Sequence, residues 1–349
     1  MDFIKVYSEQ YFYNKILEGT DKEELLEIIS NKENHYEKNE IPKNNGKRII
    51  YSIDNNSQLY KIQKYLVKHF LSKIPIADHV YGFVKDYSYK DFLSRHIHDE
   101  NNKTYYYLRL DIKDFFGSIN SNLIEETLDY YIKVNEADTE NSIIEIINGI
   151  VTLENFLPQG AVTSPVVSNI VFRQLDIRLQ KYCRKLDIRY SRYADDLLFS
   201  STNSNLHKNN FFKKVSYILK DKDFRLNYSK TIKDENEISL NGFVVGNNIR
   251  LSRKRKKDIS KVLFLYNNKP DNQSFISYLN EYEFLYRNKI GSSYFFNKDD
   301  LINYLAGYRS FLIDWIPVKE GRHKEKHINL IENIEDLLEN ISDVNNEYN

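Results

Sequence analysis

Two adjacent aspartates interrupt the apolar and aromatic stretch "YSRYADDLLFS", which runs from residue 190 to residue 200. The flanking segments "IRYSRY" and "LLFSS" are typical of short strands, so Asp195 and Asp196 are predicted to lie at the tip of a hairpin. Neighbouring carboxylates repel each other, and burying them is costly unless a cation neutralises them. The stretch therefore predicts a rigid hairpin that holds a cation.

A third carboxylate lies near the end of another predicted strand, "TYYYLRLDI" (residues 104–112), which contains Asp111. A sheet can bring Asp111 close to the hairpin tip. Converging carboxylates suit Mg²⁺, which prefers hard oxygen ligands and shares them with substrate phosphates. Two such ions can stabilise the attacking and leaving oxygens of a phosphoryl transfer. The alternative for an isolated Asp-Asp pair is a solvated turn, where Asp is common.

The bulk composition limits the class of protein. With 349 residues, the chain can form two or three domains or subdomains. Its 50 basic and 50 acidic residues cancel, which is mild evidence against a nucleic-acid binder, although residues 250–261 are densely basic. The single cysteine, Cys183, excludes an intramolecular disulfide and a cysteine zinc site, and is expected to be buried. Without a visible secretory signal or membrane-spanning segment, a cytoplasmic protein is expected.

Local patterns predict the order of the elements. Asp21 is a predicted helix N-cap, and the Asn44-Asn45-Gly46 turn predicts a hairpin with basic residues at its tip. Helices are predicted over residues 56–74, 121–133 and 166–186, and again from residue 209. Strands follow over residues 238–252, and helices are predicted from there to the end, with a boundary at Leu251-Ser252.

Three motifs resemble those of reverse transcriptases and occur in the same order. "LRLDIKDFFGSI" resembles their motif A, "LPQGAVTSPVVSNIVF" motif B, and "YADD" between apolar strands motif C. "IPKNNGKRIIY" is similar to the fingers segment, "FRLNYSKT" to motif D, and "LNGFVVGNNIRLS" to the primer-grip hairpin. The resemblance covers about residues 40 to 255. It implies an α+β right-hand polymerase with fingers, a ferredoxin-like palm and a helical thumb.

The resemblance also implies an assignment of the chain to domains. It gives an N-terminal helical extension in residues 1–40, fingers in 41–110 with parts of 120–155, a palm in 104–250, and a helical thumb with a C-terminal tail in 251–349. On this assignment Asp111 and Asp195 are ligands of two Mg²⁺ ions, together with the carbonyl of Ile112. Asp196 matches the third carboxylate of the family and is expected to act more indirectly.

Other motif positions imply nucleotide contacts. Phe116 matches the aromatic residue that excludes a 2′-hydroxyl, the alternative being a core aromatic. Gln159 opens motif B near the incoming nucleotide. Lys43, Lys47 and Arg48 could bind the triphosphate, or simply form a solvated charged turn. Lys230 matches the lysine of motif D that protonates the leaving pyrophosphate, with a surface lysine as the alternative.

The basic run at the start of the predicted thumb contains Arg253, Lys254 and Lys256. A helix there would present cations to a nucleic-acid backbone, although a solvated helix face is the common role of such runs. Tyrosine-rich surfaces could in addition stack bases, although most of the 28 tyrosines must be ordinary packing residues.

Within the family, the chain looks like the small bacterial class of retron enzymes and their defence-associated relatives. "YGFVKDYSYKDFLSRHIHDE" keeps Gly82, Phe83 and His96 of a retron segment but has Phe92-Leu93 in place of Asn-Ala. Residues 240–242 read Leu-Asn-Gly where retron enzymes carry Val-Thr-Gly. Both departures fall in places tied to recognition of the cognate RNA.

The resemblance implies an RNA-directed DNA polymerase that uses dNTPs and a structured non-coding RNA as template, and forms cDNA in anti-phage defence. An effector protein or a second copy of the chain is a possible further partner, and no membrane is expected. One alternative is template-independent or self-primed DNA synthesis, as in abortive-infection reverse transcriptases. A weaker alternative is an inactive RNA-binding scaffold.

Overall fold

The computed structural model describes residues 6, 8–43, 46–99, 103–132, 137–270, 274–281, 287–288, 291–292 and 297–343. The chain divides into two compact units, Met1–Arg95 with Thr104–Asp234, and His96–Lys103 with Glu235–Asn349. The division after Asp234 lies before the boundary expected at residue 251, and the assignment of fingers, palm and thumb to residue ranges stays a prediction. Within the described ranges, no helix has both the length and the apolarity needed to cross a membrane.

The first unit begins with helices and a long hairpin. Its elements are α1 (Glu9–Tyr11), α2 (Lys22–Ser30), β1 (Tyr36–Lys43), β2 (Gly46–Ile53), α3 (Gln58–His69) and α4 (Tyr89–Ser94). Asp21 caps α2 as predicted, because its carboxylate accepts hydrogen bonds from two backbone N–H groups at 2.9 and 3.1 Å. The predicted hairpin is confirmed, with Lys43 opposite Gly46. It begins at Tyr36, so residues 36–40 are strand and not part of a helical extension.

The rest of the first unit carries the central sheet. Its elements are β3 (Tyr106–Asp111), α5 (Ser121–Leu128), α6 (Ala137–Val151), α7 (Ser164–Arg184), β4 (Arg189–Tyr193), β5 (Asp196–Ser201), α8 (Asn209–Lys220) and β6 (Ile232–Glu235). The four strands lie in the order β4-β5-β3-β6. Pro165 lies in the first turn of α7, where its fixed φ favours helix initiation. Helix α5 ends at Leu128, earlier than predicted.

Alternation along the strands decides which side chains face the core. Leu108 pairs with Phe199 and Leu110 with Leu197, and all four are fully buried in a cluster that includes residues of α7 and α8. Burying each of these side chains contributes about 2 kcal/mol to the stability of the fold. A slip of one residue in the strand pairing would turn all of them to the opposite face of the sheet, so the register is strongly specified. The opposite face of the same strands therefore carries the residues in between, including Arg109, Asp111 and Asp196. Cys183 is buried in the core, as predicted.

The second unit combines a small sheet with helices. Its elements are β7 (Ile238–Leu240), β8 (Phe243–Val245), β9 (Ile249–Leu251), α9 (Arg253–Asn267), α10 (Phe275–Glu281), β10 (Arg287–Asn288), β11 (Gly291–Ser292), α11 (Lys298–Asp314) and α12 (Arg322–Asp343). Strands β7, β8 and β9 form an antiparallel sheet. Trp315 stacks on Phe243 with 3.8 Å between the ring centroids. The short strands β10 and β11 interrupt the run of helices that the sequence predicts.

Candidate active site

The β4–β5 hairpin is closed by the two residues Ala194 and Asp195. Ala194 adopts a φ of 54°, a left-handed conformation that suits the first position of such a turn. Asp196 lies directly opposite Asp111 in the register, and the carbonyl of Asp195 accepts a hydrogen bond from the N–H of Ile112 at 3.0 Å. The structure therefore brings the three predicted carboxylates to one end of the sheet.

Burial makes this cluster of carboxylates electrostatically costly. Asp111 is 2% exposed and Asp196 9% exposed. Burial, followed by repulsion from Asp111, raises the pKa of Asp195. Burial is also the main cause that raises the pKa of Asp196 to about 6; Arg109 opposes this rise, and the charge of Asp195 adds to it. Because the ionised forms are disfavoured, the site attracts cations.

Two cationic side chains contact these carboxylates. The Lys230 ammonium donates to both oxygens of Asp111, at 2.9 and 2.8 Å. Arg109 donates to Asp111 at 3.3 Å and also to Asp196, while its other terminal nitrogen donates to the carbonyl of Lys230. The sequence analysis expected Lys230 near the triphosphate and did not identify Arg109. Strand alternation could have predicted Arg109 as a site residue, because it lies two residues before Asp111 and therefore points to the same face of the strand.

The donor set is compatible with Mg²⁺ that arrives together with a nucleotide. Within the described ranges, no three His, Cys, Asp or Glu side chains form a ready-made metal cluster. Mg²⁺ does not require one, because it commonly takes one or two carboxylates and completes its shell with water and substrate phosphates. The predicted carbonyl ligand also fits, since in the described part of the chain no hydrogen bond reaches the Ile112 carbonyl oxygen.

A buried ion pair supports the hairpin tip from within the unit. Arg192 and Asp176 are both fully buried, and the guanidinium donates to the two carboxylate oxygens at 2.9 and 2.8 Å. The Tyr190 hydroxyl donates to the same carboxylate at 2.8 Å. Another nitrogen of Arg192 donates to the carbonyl of Ala194 at 3.1 Å, so the ion pair holds the turn that carries Asp195. The sequence analysis did not identify this pair.

The segment that contains Gly82 and Phe83 packs against the same turn. The N–H of Tyr81 donates to the carbonyl of Arg192 at 2.9 Å. A Cβ atom on Gly82 would lie 2.4 Å from the backbone nitrogen of Ala194, so only glycine fits there. Phe83 adopts a φ of 61°, which is rare for a bulky residue, and its ring lies 6.1 Å from that of Phe116. Phe116 itself is half-buried, so part of its ring is accessible.

Motif B begins against strand β2. The N–H of Tyr51 donates to the carbonyl of Gln159 at 2.8 Å. Gly160 has a φ of 123°, and a Cβ atom there would lie 2.5 Å from the carbonyl oxygen of Tyr51 and 3.1 Å from the side chain of Ile50. The side chain of Gln159 is half-buried. Strand β2 therefore presents its Ile50 face to the start of motif B.

The three cations expected to bind the triphosphate are not equivalent. Arg48 shares the Ile50 face of β2, because strand residues two apart point the same way. Lys47 points to the opposite face, where it forms an exposed ion pair with Glu40 at 2.5 Å. Arg48 is therefore the cation on the motif B side, and triphosphate binding by Lys43, Lys47 and Arg48 stays a prediction. The side chain of Lys43 lies outside the described residues.

In the second unit, the basic run divides into exposed and packed residues. Arg253 and Lys254 are exposed in the first turn of α9, which Ser252 caps. Lys256 is half-buried, and burial lowers its pKa, with further repulsion from Arg250. Arg255 packs its guanidinium over the Phe243 and Phe311 rings, at 5.2 and 5.3 Å from their centroids. Cations are unfavourable at a helix N-terminus, so the fold itself gives no reason for the exposed pair.

Comparisons with known proteins agree with the motifs. Residues 41–245 match the family model "Reverse transcriptase (RNA-dependent DNA polymerase)". The retron Ec73 reverse transcriptase of Escherichia coli is 34% identical over 165 residues, which cover 46% of this chain and 51% of that protein. The retron Ec83 reverse transcriptase of the same organism is 28% identical over 253 residues, covering 66% and 76%. The chain thus spans about half the length of the first of these relatives.

Solved structures give a looser match. The apo telomerase from Candida tropicalis truncated from its C-terminal domain covers 62% of this chain and 55% of its own, with 14% identity and a TM-score of 0.46. A foamy viral protease-reverse transcriptase in complex with double-stranded DNA covers 93% and 48%, with 16% identity and a TM-score of 0.35. The family match and the mixed helix-and-sheet architecture confirm the predicted α+β right-hand polymerase class.

Proposed function

The chain belongs to the reverse transcriptase family, and from this we propose that it is an RNA-directed DNA polymerase that copies a structured non-coding RNA partner into cDNA. One observation carries the proposal: three carboxylates converge at one end of the sheet, and two of them are nearly buried and paired with Arg109 and Lys230. Buried carboxylates whose ionised forms are disfavoured, one of them paired with the Lys230 ammonium, suit a site that binds metal ions and a nucleotide.

Asp111, Asp195 and the Ile112 carbonyl would hold the metals, and Asp196 would act through its contact with Arg109. Two Mg²⁺ ions bound there would stabilise the attacking primer oxygen and the leaving pyrophosphate. Lys230 would leave Asp111 when that carboxylate binds a metal, and its ammonium could then donate a proton to the pyrophosphate. Arg109 would stay on the sheet face and limit the negative charge of the cluster.

The nucleotide would lie between the sheet and the β1–β2 hairpin. Arg48 is proposed to bind the triphosphate, because it shares the face of β2 that contacts Gly160. Gln159 would offer its amide donors and acceptor to the nucleotide. Phe116 would contact C2′ of the sugar and exclude a hydroxyl group there.

The test is primer extension on an RNA template with dNTPs and Mg²⁺, combined with sequencing of the nucleic acid that co-purifies with the protein. A discrete RNA together with its matching cDNA supports templated synthesis. Low-complexity DNA attached to the protein supports template-independent, self-primed synthesis. No DNA synthesis on any primed template would favour the inactive scaffold and contradict the proposal.

We predict that Phe116→Ala relaxes sugar selection. Removing the ring opens space for a 2′-hydroxyl, so discrimination between dNTPs and NTPs should fall by at least about tenfold. Competitive incorporation of the two nucleotides measures it. The matched control is Phe115→Leu at the neighbouring buried ring, which should change thermal stability and not selection. Unchanged discrimination in a folded Phe116→Ala protein would mean that Phe116 is only a packing residue.

A second prediction concerns the basic run of α9. Replacing Arg253, Lys254 and Lys256 with Ala should weaken RNA binding for all sequences and reduce the salt slope by roughly 0.7 to 0.9 per lost phosphate contact. We expect most of this from the exposed Arg253 and Lys254. Titrations of two unrelated RNAs over a range of salt measure the slope.

The control for this prediction removes three cations elsewhere in the same unit. Lys319 and Lys324 already pair with Asp99 and Glu320, and Arg322 lies between them. Their replacement with Ala should leave the slope unchanged. If the α9 variant and this control have equal salt slopes, the RNA backbone binds elsewhere. If the α9 variant loses affinity for only one of the two RNAs, the basic run recognises a specific RNA structure.

The role in anti-phage defence, and an effector protein or second copy as partner, stay predictions from the retron resemblance.

A further inference from the structure

A second surface of the first unit has the chemistry of a nucleic-acid groove. Helix α8 and residues 228–233 enclose a groove of about 550 Å³, whose lining includes Phe212, Lys213, Ser216, Tyr217, Tyr228 and Lys233. The lining residues of α8 lie at positions 209, 212, 213, 216, 217 and 220, which is the spacing of one helical stripe. The groove is therefore formed by one face of α8, and we call it the α8 groove.

Two tyrosine rings stand out of the protein surface in the α8 groove. Tyr217 is 65% exposed and Tyr228 is 64% exposed. The opposite face of α8 already supplies the core with Phe211, Val215, Ile218 and Leu219, so helix packing does not explain these rings. Single exposed aromatics are ordinary, but two of them in one groove form a surface on which flat rings can stack.

The charges of the α8 groove are all positive. Lys213, Lys220 and Lys233 line it, and no acidic residue does. In the described part of the chain, no carboxylate lies within ion-pair distance of Lys213 or Lys220, and the nearby Asp221 is paired with Arg178. Since the whole chain has no net charge, this local concentration of cations predicts an anionic ligand.

Lysine ammonium groups lie over aromatic rings in and beside the α8 groove. Lys214 lies over the Tyr217 ring with its ammonium 4.9 Å from the centroid. Lys233 lies over Phe212 at 4.4 Å and also donates to the carbonyl of His207 at 2.8 Å. Alternating aromatic rings and ammonium groups match a strand whose bases stack while its phosphates are neutralised. A duplex would not fit this chemistry, because its bases are already stacked on each other.

We propose that the α8 groove binds a single-stranded segment of RNA, at a site separate from both the carboxylate cluster and helix α9. Polar groups of the lining, on Asn209 and Ser216, offer hydrogen-bond partners to 2′-hydroxyls, which favours RNA over DNA. Along the chain, the α8 groove is adjacent to the active site. Tyr228 begins the short turn that ends at Lys230, whose ammonium binds Asp111.

This inference rests on the proposed RNA-dependent function, and its test separates the two. The probes are a labelled oligouridylate, the oligothymidylate of equal length and a blunt RNA duplex. Tyr217→Ala and Tyr228→Ala should each weaken oligouridylate binding by about tenfold, as expected for one lost base stack. Lys213→Ala with Lys220→Ala should weaken it and reduce its salt dependence. Primer extension on a pre-annealed template should stay within about twofold of wild type, because these residues do not contact the carboxylates.

The matched control removes two exposed lysines from another helix of the same unit, Lys61→Ala with Lys64→Ala in α3. This control should bind oligouridylate like the wild type. If the control and the Lys213/Lys220 variant weaken binding equally, or if Tyr217→Ala binds normally, the groove proposal is wrong. If the groove variants lose affinity only for the DNA probe, the occupant is the product strand and the groove proposal is wrong. It is also wrong if the variants lose as much affinity for the RNA duplex as for oligouridylate.

Two further measurements keep the test decisive. Tyr217 is 65% exposed on the solvent-facing stripe of α8, so Tyr217→Ala should fold even if Tyr228→Ala does not, and thermal melting checks this. Ultraviolet crosslinking of a 4-thiouridine RNA should label peptides that contain Tyr217 or Tyr228. A wild-type protein that extends primers but gives no such crosslink would contradict the groove and leave the polymerase proposal intact.

Discussion

Asp195→Asn and Asp196→Asn, combined in one protein, should reduce Mg²⁺-dependent DNA synthesis by about a thousandfold or more. Both carboxylates lie at the sheet end where Asp111 ends β3. Asp195 would hold metal there and Asp196 would act through Arg109, so the double variant loses both contributions. A loss of about 4 kcal/mol of transition-state stabilisation corresponds to that factor. Single-turnover incorporation on primed RNA measures the effect.

The same substitution should not unfold the protein, and pH gives the check. Burial raises the pKa of Asp196 to about 6 from a usual value of 3.8. A carboxyl whose pKa is raised by folding opposes folding once it ionises, so this cost is absent below about pH 4 and complete above about pH 6. Without Mg²⁺ at pH 8, Asp196→Asn should therefore melt at the wild-type temperature or above it.

The control for the activity measurement is Asp114→Asn. Asp114 lies in the same motif with a φ of 47°, a conformation that Asn tolerates well, and it has no assigned metal role. This variant should retain most of the activity. Near-wild-type rates from the Asp195/Asp196 double variant, or an equal loss from Asp114→Asn, would contradict the assignment of the metal site.

Asp176→Ala should lower the free energy of unfolding of the first unit by about 3–5 kcal/mol. The substitution leaves the fully buried Arg192 without its counter-charge and removes the acceptor of the Tyr190 hydroxyl. Hydrogen exchange of the β4 and β5 amides reports this loss directly. Fluorescence of the single tryptophan, Trp315, reports on the second unit and serves as the internal reference.

The matched control is an exposed ion pair that involves the same helix. Arg178 of α7 pairs with Asp221 at the surface, with side chains that are 39% and 57% exposed. Asp221→Ala should therefore cost no more than about 1 kcal/mol. If Asp221→Ala and Asp176→Ala lower the free energy of unfolding equally, the buried pair contributes no more to stability than the exposed pair.

A second variant separates stability from catalysis. Asp176→Leu with Arg192→Met should recover most of the stability, because hydrophobic residues of similar volume commonly replace a buried ion pair. DNA synthesis should stay low, since the Ala194 carbonyl has lost its donor and the turn that carries Asp195 is less well held. Full recovery of both properties would mean that the pair does not position the turn.

The sequence was sufficient for the carboxylate cluster because each part of it follows from local rules. Apolar alternation defines the strands, and the adjacent aspartates mark the hairpin tip, so the approach of Asp111 to Asp196 needs only the pairing of β3 with β5. Arg109 could have been identified from the same alternation. It was missed because an arginine in a strand is usually read as a solvent-facing residue.

Other features depend on tertiary contacts that no local pattern encodes. The pairing of Asp176 with Arg192 joins a helix to a strand, and nothing in either segment specifies the other. The sequence analysis grouped Lys47 with Arg48 by their charge, although neighbours in a strand point in opposite directions. The division after Asp234 reflects how the small sheet β7–β9 packs within its own unit, which strand patterns alone do not reveal.

Gly82 determines which substitutions laboratory evolution of this protein can explore. Any side chain at position 82 would press on the backbone nitrogen of Ala194 and displace the aspartates beyond it, so the position tolerates no diversity at all. Position 194, with its left-handed backbone, accepts little beyond alanine, glycine or asparagine. Libraries that seek faster or more heat-resistant variants should therefore hold both positions constant and vary exposed positions away from the carboxylate cluster and the β1–β2 hairpin.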